Sequence, residues 1–114
     1  MDFKGKNINA GGNYGIFYNA KNLNQAYLNN AVLNYAKYLF YNCTSLQLAT
    51  IKDCSALNSD FSYMFYGCTK LTNIVLDNFD FSNSTDLSYM FNGCSSLKNI
   101  KGIEDLNTSN VTNI

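Results

Sequence analysis

The chain has 114 residues, 46% hydrophobic and 14% charged, which bounds it to one folded domain with a modest core and a mostly uncharged polar surface. Eight Lys and Arg balance eight Asp and Glu, so the footprint that nucleic acid or anionic lipid requires is missing, and no apolar run approaches the ~20 residues needed to span a bilayer. Neither nucleic-acid binding nor membrane insertion is expected. Histidine is absent too, and with it the commonest metal ligand and the usual general base near neutral pH.

Residues 1–13, with Phe3 and Ile8, read as an N-terminal capping segment, and residues 14–114 as one array of repeats. The opening Met1-Asp2-Phe3-Lys4-Gly5-Lys6 lacks the apolar stretch of a secretory signal. Gly11, Gly12 and Gly15 mark turns; no Gly-Lys-Ser/Thr follows them to cradle a phosphate. The repeat is anchored by Phe17, Phe40, Phe65 and Phe91, at spacings of 23, 25 and 26 residues. Around the last three, Tyr-(Leu/Met)-Phe-x-x-Cys-x-x-Leu recurs at 38–46, 63–71 and 89–97. A degenerate first copy keeps Phe17 and Leu23 and puts Ala20 in the cysteine slot. A period of this length marks a solenoid, in which no repeat can bury its apolar face alone.

Within each repeat, Ala36, Leu39, Phe40 and Cys43 are spaced i, i+3, i+4, i+7, as are Phe61, Met64, Phe65, Cys68 and Leu87, Met90, Phe91, Cys94. That spacing predicts a two-turn helix with one apolar face. Asp60 or Ser62, and Thr85, Asp86 or Ser88, supply capping oxygens at its start. Asn19, Asn42, Gly67 and Gly93 share one position near its end, where a left-handed residue stops a helix. A short strand should follow, carried by Leu71, Ile74 and Leu76, by Leu97, Ile100 and Ile103, and more loosely by Leu46, Leu48 and Ile51. A further apolar slot recurs at Ala31, Cys54, Phe79 and Leu106, and the polar segments at 80–85 and 107–112 read as loops. The expected fold is α/β, a solenoid of about four to five repeats, each a short helix plus a short parallel strand.

The segment Asp77-Asn-Phe-Asp-Phe-Ser-Asn-Ser-Thr-Asp-Leu-Ser-Tyr-Met-Phe-Asn-Gly-Cys-Ser-Ser-Leu97, with Leu106-Asn-Thr-Ser-Asn-Val-Thr-Asn-Ile114, resembles the BspA-like leucine-rich repeats, also known as a mycoplasma-type surface-protein repeat. The resemblance implies a right-handed leucine-rich-repeat solenoid. It also implies a bacterial surface or secreted protein that binds host or matrix proteins or other cells. Similar arrays occur in protozoa and in phage-encoded proteins. That family carries no catalytic residues, so none transfer here.

Three sets of residues are candidates for function. Cys43, Cys68 and Cys94 occupy equivalent slots and should stack as a ladder. Adjacent rungs fit the Cα separation of a disulfide, but stacked side chains point the same way, and the chain has neither a C-x-x-C pair nor His for zinc. The ladder therefore reads as buried, reduced thiols that pack as small hydrophobes, and no cofactor is expected. Tyr38, Tyr63 and Tyr89, with Tyr41 and Tyr66, lie off the apolar face of the predicted helix and should form a stripe of exposed phenols. Two readings stand for it: a recognition surface, or rings that stack on one another between repeats. The third set is the outward strand face of Thr72, Asn73, Val75, Asp77, Lys98, Asn99 and Lys101, polar and mixed in charge. The carboxylates are spaced by the repeat and do not converge; Asp77 and Asp80 could hold a calcium ion, but no EF-hand loop pattern is present. The four N-x-S/T matches at Asn42, Asn83, Asn107 and Asn110 carry little information in a chain where roughly a sixth of residues are Asn.

No C-terminal cap is visible before Ile114, so the solenoid is expected to be uncapped there, which suits end-to-end stacking of copies. The leading functional expectation is a non-enzymatic interaction or adhesion module at a bacterial surface, with a protein or glycan ligand. The rival is a structural assembly component, a fibre, filament or phage-particle protein whose partner is itself, in a virion or the cytoplasm.

Overall fold

The computed structural model describes residues 7–8, 17–58, 60–79 and 84–102; side chains at 7–8 are not part of that description. Its strands are β1 (Asn7–Ile8), β2 (Gln25–Asn29), β3 (Val32–Leu33), β4 (Leu48–Lys52), β5 (Ser55–Ala56), β6 (Asn73–Asp77) and β7 (Asn99–Lys101). They form two parallel sheets, ordered β2-β4-β6-β7 and β1-β3-β5. Each coil contributes one strand to each sheet as far as the coils are described, so the array is a parallel solenoid. β1 lies in the segment expected to cap the solenoid, and it pairs in parallel with β3.

Strand register follows the alternation of apolar residues. Ala26, Ala49, Ile74 and Ile100 line up across β2, β4, β6 and β7, as do Leu28, Ile51 and Leu76 across the first three. All but Ile100, which is half-buried, are buried. The expected β6 pattern is therefore present. In β4 the inward residues are Ala49 and Ile51, and Leu48 is half-buried beside Gln25 and Asn73, outside that inward register. Ala49 is too small to stand out in an apolar pattern, which is why the larger Leu48 drew the assignment. The slot holding Ala31, Cys54 and Phe79 is buried. Ile103, Leu106, Asp80, Phe3 and the loop at 107–112 lie outside the described residues.

The predicted helix requires a correction: among the described residues there is no α-helix. Residues 36–46 form consecutive tight turns, closed by Leu39 N–H to Ala36 O at 3.0 Å, Tyr41 to Tyr38 at 3.1 Å, Cys43 to Phe40 at 3.2 Å and Leu46 to Cys43 at 3.1 Å. The intervening amides leave the coil. Tyr38 N–H donates to Ser62 O at 3.2 Å, Phe40 to Met64 at 2.8 Å and Asn42 to Tyr66 at 2.7 Å. The next coil repeats this, with Phe61, Tyr63, Phe65 and Gly67 donating to Asp86, Ser88, Met90 and Asn92. A helix would keep the Phe40, Asn42, Phe65 and Gly67 amides within their own coils.

Spacing between coils decides against the helix. A helix is about 10 Å across and packs 8–10 Å from its neighbour, whereas paired strands lie about 4.8 Å apart. Phe17, Phe40, Phe65 and Phe91 stack at centroid separations of 5.2, 5.4 and 5.8 Å, with ring planes within 15° of parallel. The turn side therefore keeps nearly the spacing of the sheet side, too close for stacked helices. The apolar residues at i, i+3, i+4, i+7 are still the buried ones, because three-residue turns return the chain to the same face.

The local signals for the start and stop of this segment hold without a helix. Asp60 Oδ1 accepts from Ser62 N–H at 2.9 Å and Ser62 Oγ at 2.6 Å, and Asp86 Oδ1 accepts from Ser88 N–H at 2.9 Å. Asn19, Asn42, Gly67 and Gly93 all take left-handed backbone, with φ of 57, 56, 77 and 82°. Two further left-handed ladders escaped the sequence reading. One is Asn30, Asp53 and Asn78, which end the strands at φ of 54, 52 and 53°. The other is Tyr38, Tyr63 and Tyr89, at 61, 58 and 58°.

Candidate interaction surface

Each of the three equivalent cysteines donates to a backbone carbonyl of the preceding coil. Cys43 Sγ donates to Phe17 O at 3.0 Å, Cys68 Sγ to Phe40 O at 3.1 Å and Cys94 Sγ to Phe65 O at 3.0 Å. Each of those carbonyls also accepts a turn-closing amide from its own coil, at 3.0, 3.2 and 3.3 Å. The thiol thus takes the second lone pair of a buried carbonyl while filling an apolar slot, which Ala or Leu cannot do. All four cysteines are free. No group of three or more His, Cys, Asp or Glu that could hold a metal ion occurs among the described residues.

Burial pushes the Cys43 thiol up to about 11, opposed in part by a backbone hydrogen bond. The neighbouring Cys94 sulfur and burial together hold the Cys68 thiol far above its ordinary range. The same contact draws the Cys94 thiol down, so that pair shifts in opposite directions. It is on Cys43 that stability should be full below about pH 8.5, where an unfolded thiol is still neutral, and lost as pH rises through the folded-state value. Tyr41 and Tyr63, raised by desolvation and by the surrounding phenols, extend that loss upward. Denaturant midpoints measured from neutral to strongly alkaline pH should fall steadily above about pH 9; a flat profile would contradict buried thiols. At about pH 8, thiol reagents should label Cys43 and Cys68 slowly in native protein and rapidly after unfolding.

The five tyrosines singled out from the repeat do come together, joined by a sixth. Tyr18, Tyr41 and Tyr66 form one column, stacked at 5.0 and 4.9 Å with ring planes 8° apart. Tyr38, Tyr63 and Tyr89 form a second, at 5.2 and 5.0 Å. The columns interlock: Tyr38 meets Tyr18 and Tyr41 edge-on at 86°, and Tyr63 meets Tyr41 and Tyr66 at tilted angles. A stripe of separate exposed phenols is therefore not what the fold builds. Tyr38, Tyr41, Tyr63 and Tyr66 are half-buried by one another, while Tyr18 and Tyr89 are 37% and 52% exposed. Tyr18 carried a signal in the sequence, since it follows Phe17 as Tyr41 follows Phe40. It was missed because its repeat lacks the cysteine.

Lys37 flanks the columns, with Nζ 5.0 Å from the Tyr38 ring centroid and 3.5 Å from Asp60 Oδ2. Both charges are partly exposed, so the pair adds little stability.

The outward strand residues form a second surface on the other arm of each coil. Val75 lies in a row with Tyr27, Thr50 and Lys101; Asn73 with Gln25, Leu48 and Asn99; Asp77 with Asn29 and Lys52. Thr72 holds its coil to the previous one, its Oγ1 donating to Gln47 O at 3.1 Å and its carbonyl accepting from Lys98 and Asn99 amides. Tyr27, 39% exposed, was overlooked for the same reason as Ala49: the register of the earlier coils was hidden by small residues.

The model of the BspA type leucine-rich repeat region matches residues 12–110 in six copies. The chain belongs to this family. No curated protein and no solved structure matches it. Leucine-rich repeats of this type are protein-interaction modules in general.

Proposed function

We propose that this BspA-type array is a non-enzymatic interaction and adhesion module, belonging to a bacterial surface or secreted protein, whose tyrosine double column is the contact surface. One observation carries the reading. Three of the six rings are held on left-handed backbone, which costs a bulky L-residue about 1–2 kcal/mol each and suits Asn or Gly far better. Sites where that cost is tolerated concentrate at functional surfaces. Tyr is also the side chain best suited to recognition, with large area, few rotors and a polar tip. The strand face with Asn73, Asp77, Lys98, Asn99 and Lys101 is the secondary candidate. Residues 1–13 act as the cap of the array in this reading, with β1 extending the β3-β5 sheet.

Binding of the 114-residue chain to immobilised matrix proteins and glycans tests the proposal, with Tyr89→Ser as the surface variant and Lys101→Glu as the strand-face control. Saturable protein binding lost in Tyr89→Ser and kept in Lys101→Glu is the expected result. The reverse pattern would move the site to the sheet. Negative-stain imaging that showed ordered polymers of the chain alone, with no saturable binding, would replace adhesion by self-assembly.

A further inference from the structure

The first tyrosine column is one ring short. The core Phe column has four members, and in the first three coils the residue after Phe is Tyr18, Tyr41 or Tyr66. After Phe91 comes Asn92, which is exposed. Its backbone is in register with the previous coil, since Gly67 N–H donates to Asn92 O at 2.8 Å. Tyr66 therefore has Tyr41 stacked on one face at 4.9 Å, and the residue in register on its other side is the exposed Asn92, not an aromatic. Tyr89 stands beside this gap, stacked only on Tyr63 at 5.0 Å among the described residues.

We infer that Tyr66, Tyr89 and Asn92 form a niche that takes an aromatic side chain from a polypeptide partner, which completes the stack as its fourth ring. This rests on the reading of the tyrosine columns as the contact surface and names what they hold. The lattice of rings is itself the template. A ring at this level would lie face-on to Tyr66, as Tyr66 lies on Tyr41, and would meet Tyr89 as Tyr41 meets Tyr38 edge-on and Tyr66 meets Tyr63 at a tilt. Offset-stacked and edge-to-face contacts are the two arrangements that aromatic pairs prefer, and the niche offers one of each. Asn92 puts an amide at the base, able to pair with a phenol or indole tip. A pyranose ring, thicker and rimmed with hydroxyls, would find one amide and few other partners for them.

The test is an NMR titration of the 114-residue chain with N-acetyltyrosinamide, with methyl β-glucoside as the comparison, reading the ring protons of Tyr66 and Tyr89. Saturable shifts at these two rings with the tyrosine amide alone are expected. Asn92→Tyr fills the niche from within, so it should abolish the shifts and raise the unfolding midpoint, whereas Asn92→Ser should keep them. Absence of saturable shifts at Tyr66 and Tyr89, equal shifts with the glucoside, or unchanged binding in Asn92→Tyr would each overturn the inference. Protein binding that is lost in Tyr89→Ser yet persists in Asn92→Tyr would discard the niche alone and leave the columns as the contact surface.

Discussion

Phe65→Ala is expected to destabilise the chain by about 3–5 kcal/mol, the range for truncating a buried aromatic ring. Phe65 is 0% exposed and stacks on Phe40 at 5.4 Å and on Phe91 at 5.8 Å, so the substitution opens a cavity between two coils. Its neighbours are poorly placed to collapse into the space. Their backbones are tied coil to coil, through Phe40 N–H to Met64 O and Phe65 N–H to Met90 O, at 2.8 and 2.9 Å. Phe91→Ala should cost less, because that ring is half-buried and stacks on Phe65 alone among the described residues. Denaturant unfolding of the two variants measures both. A loss below about 1 kcal/mol for Phe65→Ala would show that the Phe column is not the core.

The second large effect concerns Tyr63, where two physical terms oppose each other. Its ring contacts Tyr38, Tyr89, Tyr66 and Tyr41 at 5.2, 5.0, 5.4 and 6.2 Å. At about 0.5–1.5 kcal/mol per aromatic pair, these four contacts are worth roughly 2–6 kcal/mol together. Against them stands the left-handed backbone at φ 58°, a strain of about 1–2 kcal/mol that Asn largely avoids. Tyr63→Ala loses the rings and keeps the strain, so a loss of about 2–6 kcal/mol is expected. Tyr63→Asn should recover about 1 kcal/mol of that. Tyr89→Asn, which gives up one described ring contact, should be close to neutral. The order of unfolding midpoints is the readout. If Tyr63→Asn proves more stable than the unsubstituted chain, strain outweighs stacking and the tyrosines are held at a net cost.

How much was legible beforehand can be judged residue by residue. Ala36, Leu39, Phe40 and Cys43 were read as one buried face, and they are buried. Asn42 and Gly67 were read as left-handed stops, and their φ angles are positive. Both signals are local: apolar period and glycine or asparagine chemistry act within a few residues of chain. The tyrosines were found by recurrence and their stacking between repeats was one of two readings, but the interlocking of two columns depends on how closely coils approach. The left-handed backbone at Tyr38, Tyr63 and Tyr89 left no trace in the sequence, because propensity argues against it.

The sequence by itself determined the period, the residues that face the core, the turn points and the parallel stacking, since each follows from periodicity and from which side chains tolerate which backbone. Only the tertiary structure decided what the turn segment is. Its amides have two sets of acceptors within reach, those of its own coil and those of the next, and the roughly 5 Å coil spacing set by paired strands favours sharing between them over a helix twice as wide. The same spacing brings ring onto ring, which turns a list of recurring tyrosines into two interlocked columns.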